Sequence, residues 1–287
     1  MRKILFIILS VLGICAFSSC NEHKRPTIDE ELSQPTTEEL SQPTTEELSQ
    51  STTAKPSRPV TDGPSQPVTD IDGNVYKTVK LGNQVWMAQN LRTTRYADGR
   101  KIPLGTTESF DDAYRYYPNN NRANVSKYGY LYNWSAVMNG SLSSSANPSG
   151  VQGICPEGWH VPSDAEWTEL ENYVSSQSQY VCGGDEDNIA KALASEVGWN
   201  NNTENCAVGD NPSTNNATGF SARPAGHYYG SYGYFGYDAN FWSATQNDSY
   251  YAYNRGLDYN NGSVSRSNDS KNGGYKVDGY SVRCVRN

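Results

Sequence analysis

Three histidines (His23, His160 and His227), six cysteines and 31 acidic residues are the side chains of this 287-residue chain that could carry acid–base, nucleophilic or metal chemistry. They form no catalytic pattern. No histidine pair has zinc-ligand spacing, no Ser/His/Asp order stands out, and the spacing of the carboxylates singles out no acid–base pair. No catalytic and no metal residue is therefore expected. Asp70, Asp72 and Asn74 echo the first ligands of a calcium loop, but the downstream glutamate and the flanking helices are missing, so calcium has no motif support and no cofactor is expected. The chemistry that remains is that of binding. Between His227 and Tyr259 the chain is a field of aromatic residues, and one loop interleaves Tyr228, Tyr229, Tyr232, Tyr234 and Tyr237 with Gly230, Gly233 and Gly236. Flat phenol rings stack on the C–H faces of sugars, and neighbouring Asn and Asp side chains can bond hydroxyls. These five tyrosines are the candidate ligand-binding set. The same Tyr-Gly-Ser composition also suits protein recognition.

The cysteines divide by position. Arg2 and Lys3 precede an apolar run from Ile4 to Phe17, which is shorter than the roughly 20 residues a membrane-spanning helix needs. The run ends in Phe17-Ser18-Ser19-Cys20, which resembles a bacterial lipobox. That resemblance implies a lipoprotein signal peptide over 1–19, cleavage before Cys20 and lipidation of Cys20, so the chain would be held to a membrane by its N-terminal lipid. Several acyl chains anchor durably where one does not. Asn21 is not the aspartate associated with inner-membrane retention, which favours the outer membrane, at its periplasmic face or on the cell surface. Cys15 lies in the part removed. The last four cysteines allow three pairings. Cys182 and Cys206 bracket a single excursion of the chain, which favours Cys182–Cys206 together with Cys155–Cys284.

Composition sets the domain organisation. Residues 30–53 hold three copies of an eight-residue repeat, Glu-Glu-Leu-Ser-Gln-Pro-Thr-Thr, with Ser51 in place of the third proline. One leucine per eight residues cannot bury a face, so residues 20–69 are expected to be an extended, solvated tether, roughly 40 Å in r.m.s. span. Its threonines are also candidates for glycosylation. A net charge of −8 argues against nucleic acid as a partner.

A single domain is expected over 70–287. Its organising stretch is Gly153 to Trp167. Ser163 followed by Glu166 is a capping box, and Trp167, Leu170 and Val174 then form the apolar stripe of a helix. Val75 to Leu81, turning at Gly82-Asn83 into Gln84 to Ala88, predicts a hairpin. The alternating aromatics at Tyr130, Tyr132 and Trp134 suit either a strand or a helix entry and are expected in the core. A second short helix is predicted from Ile189 to Glu196, stopped by Gly198. Strands are predicted near 218–226, at 240–246 and at 250–259. A closing hairpin is predicted across Asp278-Gly279, with Tyr280, Val282 and Cys284 on one face. The fold class is thus α+β, with antiparallel sheets, two short helices and disulfides.

Four ordered motifs carry a family resemblance: Asp72-Gly73-Asn74-Val75-Tyr76 with Gln84 to Leu91, the organising stretch, Phe241-Trp242-Ser243-Ala244-Thr245, and Tyr280 to Arg286. Together they resemble the Fibrobacter succinogenes major paralogous domain of exported proteins from Fibrobacter and Bacteroidetes. The resemblance covers about 70–287 and implies a C-type-lectin-like fold, with a long disulfide from the main helix region to the last strand. That fold group includes lectins and formylglycine-generating-type enzymes, whose Gly-Trp-x-x-Pro-x-x-x-Glu-Trp stretch resembles 158–167. The enzymes need a free reactive cysteine pair, and Cys284 stands alone, so no catalysis is implied. The calcium-dependent sugar motifs of true C-type lectins are also missing from the domain. Fold alone assigns no function. The expectation is a non-enzymatic, membrane-anchored binding module for glycans or, alternatively, for an envelope protein in adhesion or surface assembly.

Overall fold

The capping box opens the longest helix. Ser163 Oγ accepts the Glu166 N–H at 3.2 Å and the Glu166 carboxylate accepts the Ser163 N–H at 2.9 Å. Such a cap is worth about 1 kcal/mol, and it stops the helix from starting elsewhere. The computed structural model describes residues 63–268 and 274–287, which lie within a single unit of the chain, Pro56–Asn287. The expected signal peptide, Cys20 and the repeats fall outside the described residues.

In chain order the described elements are β1 (Gly63–Thr69), β2 (Val75–Leu81), β3 (Gln84–Met87), β4 (Arg115–Tyr116), α1 (Val125–Tyr128), β5 (Leu131–Tyr132), α2 (Trp134–Met138), β6 (Trp159–His160), α3 (Asp164–Ser175), α4 (Ala190–Leu193), β7 (His227–Tyr228), β8 (Tyr232–Gly233), β9 (Asp238–Gln246), β10 (Ala252–Asp258), β11 (Val264–Ser267) and β12 (Val285–Arg286). The main sheet runs β1-β2-β3-β12-β6, so the last strand closes the sheet between β3 and β6. A second sheet runs β11-β10-β9, and β4-β5 and β7-β8 are two-stranded pairs. The pairings are antiparallel. The class is α+β, with four helices rather than two.

Apolar side chains collect in two main clusters. Val79, Leu81 and Trp86 of the main sheet meet Trp167, Leu170 and Val174 of α3, with Phe220 and Phe241 beside them. Trp86 and Trp167 lie 4.6 Å apart. Tyr76 and Met87 join Tyr132, Trp242 and Tyr280 in the other cluster. Tyr130 and Tyr132 are core, as expected, and the alternating run is both things in turn: a strand at Leu131–Tyr132, then α2 from Trp134. Both expected disulfides are present, Cys155–Cys284 and Cys182–Cys206.

Four expectations are corrected. Gly63–Thr69 is not tether but a strand paired with β2, from Gly63 opposite Lys80 to Thr69 opposite Val75. Its prolines misled: Pro64 and Pro67 sit on an edge strand, and the register shifts between Ser65 and Val68, so the missing N–H groups cost little. The second short helix stops at Leu193, well before Gly198, because Ala194 turns extended and bridges Ala222. That bridge and one from Gly226 to Ala239 are all the strand structure at 218–226. The closing hairpin does not form. Residues 275–281 instead thread between elements, with bridges from Tyr275 to Tyr251, Gly279 to Tyr228, Tyr280 to Tyr132 and Ser281 to Phe241.

Candidate functional site

β7 and β8 make a small hairpin in which His227 faces Gly233 and Tyr228 faces Tyr232. Gly226, at φ +66°, starts it, and a Cβ there would fall 2.3 Å from the Gly233 carbonyl, so only glycine lets the strands approach. At the tip, Tyr229 N–H donates to the Ser231 carbonyl at 2.9 Å. This hairpin holds Tyr228, Tyr229 and Tyr232, the turn from it into β9 holds Tyr234 and Tyr237, and the structure separates the five candidates by role.

Tyr228 points inward. It is 4 % exposed and stacks on Tyr116, with centroids 4.1 Å apart and planes 17° apart. As a core ring it is withdrawn from the candidate set: β7 is buried at both of its residues and ends at Tyr228, and Tyr229 already belongs to the bend at the tip. Tyr232 is half-buried against Tyr228 at 5.0 Å. The other three turn outward. Tyr229 stacks on His227 at 3.7 Å, and its hydroxyl lies 2.6 Å from that of Tyr280. Tyr234 is 62 % exposed, 5.0 Å from His227 and 6.4 Å from Tyr237, whose ring meets Tyr259 at 5.0 Å. A row of rings thus runs Tyr259, Tyr237, Tyr234, His227, Tyr229.

Tyr234 has φ +56°, a left-handed conformation that costs a bulky side chain about 1–2 kcal/mol. The N–H groups of Tyr237 and Asp238 donate to its carbonyl at 2.9 and 3.1 Å and hold it there. Strain retained at an exposed ring points to use of that ring. Behind it, His227 Nδ1 lies 3.2 Å from Asp238 Oδ2. Burial pushes the Asp238 carboxyl above the usual range, against the pull of His227.

A second set of rings lies beyond the hairpin tip. Phe110 packs edge-on against Tyr250 at 5.7 Å and Tyr275 at 5.0 Å, and Phe110 and Tyr250 are 40 % and 56 % exposed. Between the two ring sets lie Glu108, exposed, and Asp278, buried. Asp278 Oδ2 accepts the Tyr275 N–H at 3.1 Å and lies 3.5 Å from the Tyr280 hydroxyl. Burial, then the charge of Glu108, raises its pKa to about 8, despite those two hydrogen bonds. Sequence reasoning reached Tyr250 as one of the aromatic field but missed Glu108, Phe110, Tyr275 and Asp278 as site residues. Glu108 and Phe110 stand in a polar connection without periodicity, and Asp278 reads as a turn residue.

The carboxylates of the Asp70–Asn74 turn are spent internally. Asp70 accepts from the N–H groups of Asp72 and Asn74, from Asn74 Nδ2 and from the Tyr76 hydroxyl at 2.6 Å. Asp72 accepts from Thr94 and pairs with Arg95 at 3.1 Å. Among the described residues no group of three or more His, Cys, Asp or Glu could hold a metal ion. An apolar groove of about 650 Å³ lies between β1, β2 and residues 216–219, with Lys77 and Tyr180 as its ionisable groups. That groove brings no convergent set of charged groups together, and we place the candidate site at the aromatic rows.

The model of the Fibrobacter succinogenes major domain matches residues 79–286. The chain belongs to this family. The matched stretch starts within β2 and ends in β12, so this Fibrobacter succinogenes major domain includes both disulfides, the β7–β8 hairpin and the Glu108 loop, while β1 precedes the match. The chain matches no curated protein and no solved structure.

Proposed function

We propose that this chain is a lipid-anchored cell-envelope protein that displays a non-catalytic, C-type-lectin-like module for binding glycans. One observation carries the reading: three tyrosine rings, Tyr229 at the hairpin tip and Tyr234 and Tyr237 in the turn after it, face outward and are fixed by ring contacts rather than free to collapse. Rings held in place lose little entropy when a sugar face lies on them. Carboxyl and phenol groups beside them supply hydroxyl partners. The anchor and the outer-membrane address rest on the lipobox resemblance, and the lectin-like fold group rests on the family's motifs together with the antiparallel sheets.

The test is a glycan array probed with the full chain, disulfides intact, with calcium and again with a chelator. Reproducible hits are expected, lost in a Tyr234→Ala/Tyr237→Ala double variant whose circular dichroism and melting are those of the parent. A blank array with folded protein sinks the glycan reading. It moves the weight to the alternative, an adhesion or assembly contact with an envelope protein, which the Tyr, Gly and Ser content of the hairpin favours.

A further inference from the structure

We propose that the surface between the two ring sets, at Glu108 and Asp278, is a subsite for the protonated amino group of an amino sugar. The inference rests on the glycan reading above and names the ligand class. Three features of the surface support it.

The first is charge. Glu108 lies over the hairpin tip, its carboxylate 3.4 Å from where a Cβ on Gly230 would stand. Asp278 lies behind it, 5 % exposed. Among the described residues neither carboxylate is in an ion pair. Lys276 is near in sequence but already engaged: its Nζ donates to Gln246 Oε1 and to the carbonyls of Asp248 and Ser249, and it sits 4.5 Å from the Trp134 ring centre.

The second is the ring walls. Tyr229, whose hydroxyl meets that of the buried Tyr280 beside Asp278, bounds the acids on one side, and Phe110, Tyr250 and Tyr275 lie on the other. Aromatic faces attract an ammonium group and repel an anion, and the Glu108 carboxylate adds to that preference. A neutral sugar would gain the stacking without the charge term. An acidic sugar would meet repulsion.

The third is the proton. Asp278 retains its proton up to about pH 8 because burial and the negative charge of Glu108 both disfavour ionisation. A cation bound beside it reverses the second cause directly. Binding should therefore release a proton, which a neutral sugar has no reason to do.

The experiment is titration calorimetry of the full chain at mildly acidic pH and low salt, in two buffers of different ionisation enthalpy. The probes are oligomers of glucosamine, of N-acetylglucosamine and of glucose. The glucosamine oligomer is expected to bind about tenfold tighter than the other two. Its binding should release a proton and weaken with salt. Glu108→Gln, at an exposed position that the fold does not need, should bring the glucosamine oligomer down to the level of the neutral ones. Equal affinities, or a preference that survives both Glu108→Gln and Asp278→Asn, overturn the amine subsite while leaving the glycan reading in place. No binding by any oligomer overturns both.

Discussion

Under the start of α3, Glu166 is buried with both carboxylate oxygens committed. Oε1 lies 2.6 Å from His160 Nε2, and Oε2 accepts the N–H groups of Ser149 and Ser163 at 3.0 and 2.9 Å. Burial alone would keep His160 neutral, but the hydrogen bond and charge of Glu166, with Asn287 at 2.7 Å, outweigh it and hold the ring above its usual range. Under the hairpin, Asp278 is equally buried and has two hydrogen bonds but no cation among the described residues. The first node is closed by its own partners. The second holds a proton that a ligand could displace. Buried charge that serves a fold is neutralised within the fold, and an acid left without its counter-charge beside exposed rings is a candidate for recognition.

The largest way to break this comparison is through the staple beside the first node. Cys155 and Cys284 are 129 residues apart and tie the loop before β6 to the residue before β12. Replacing both with alanine is expected to cost ~5 kcal/mol in the chain-entropy account, against ~3.5 kcal/mol for Cys182 and Cys206, which are 24 apart. Urea unfolding of the two double variants checks the order. Equal losses would mean that the unfolded chain is already compact across the longer loop.

Next comes the node itself. Glu166→Gln leaves the His160 ring buried without its carboxylate and weakens the capping box, for an expected loss of about 3 kcal/mol. The capping pair was legible because it is local: four residues fix both partners. His160 was visible only as one of three histidines, since its partners Glu166 and Asn287 meet it through the fold. The same limit explains the site. The exposed tyrosines could be named from their interleaved glycines, but Tyr228 could not be told from Tyr229, because the ring that buries Tyr228 is Tyr116, a distant residue. Glu108 and Asp278 come together only through the threading of residues 275–281, where a local hairpin was expected.

pH separates the two regions. Asp278 keeps its proton in the folded state up to about pH 8, whereas the unfolded carboxyl loses it near its ordinary 3.8. Between those values the folded state binds more protons, so this group makes stability fall as pH rises, and above pH 8 the loss is complete. His160, raised by its partners, contributes stability that is full below about 6.5 and lost as pH passes its folded value. Asp278→Asn should therefore flatten the parent's decline between pH 4 and pH 6.5, a window in which His160 contributes no slope. Melting curves across that range decide it: an unchanged slope in the variant would mean that Asp278 ionises normally and is not held protonated by its surroundings.

The smallest effect on stability is the sharpest on function. Tyr228→Ala removes a core ring and should cost about 3 kcal/mol. Six residues on, Tyr234→Gly removes an exposed ring held at φ +56° and replaces it with the one residue that adopts that conformation freely. The strain released and the unfolded-chain entropy added by a glycine oppose each other, so stability should change by less than about 1 kcal/mol. Glycan binding should nevertheless drop, because the middle ring of the row is gone. A variant as stable as the parent that no longer binds would show that the left-handed tyrosine is kept for its ring. Undiminished binding would instead confine the site to Tyr229 and the Glu108 side, since that is where the remaining outward rings meet polar partners.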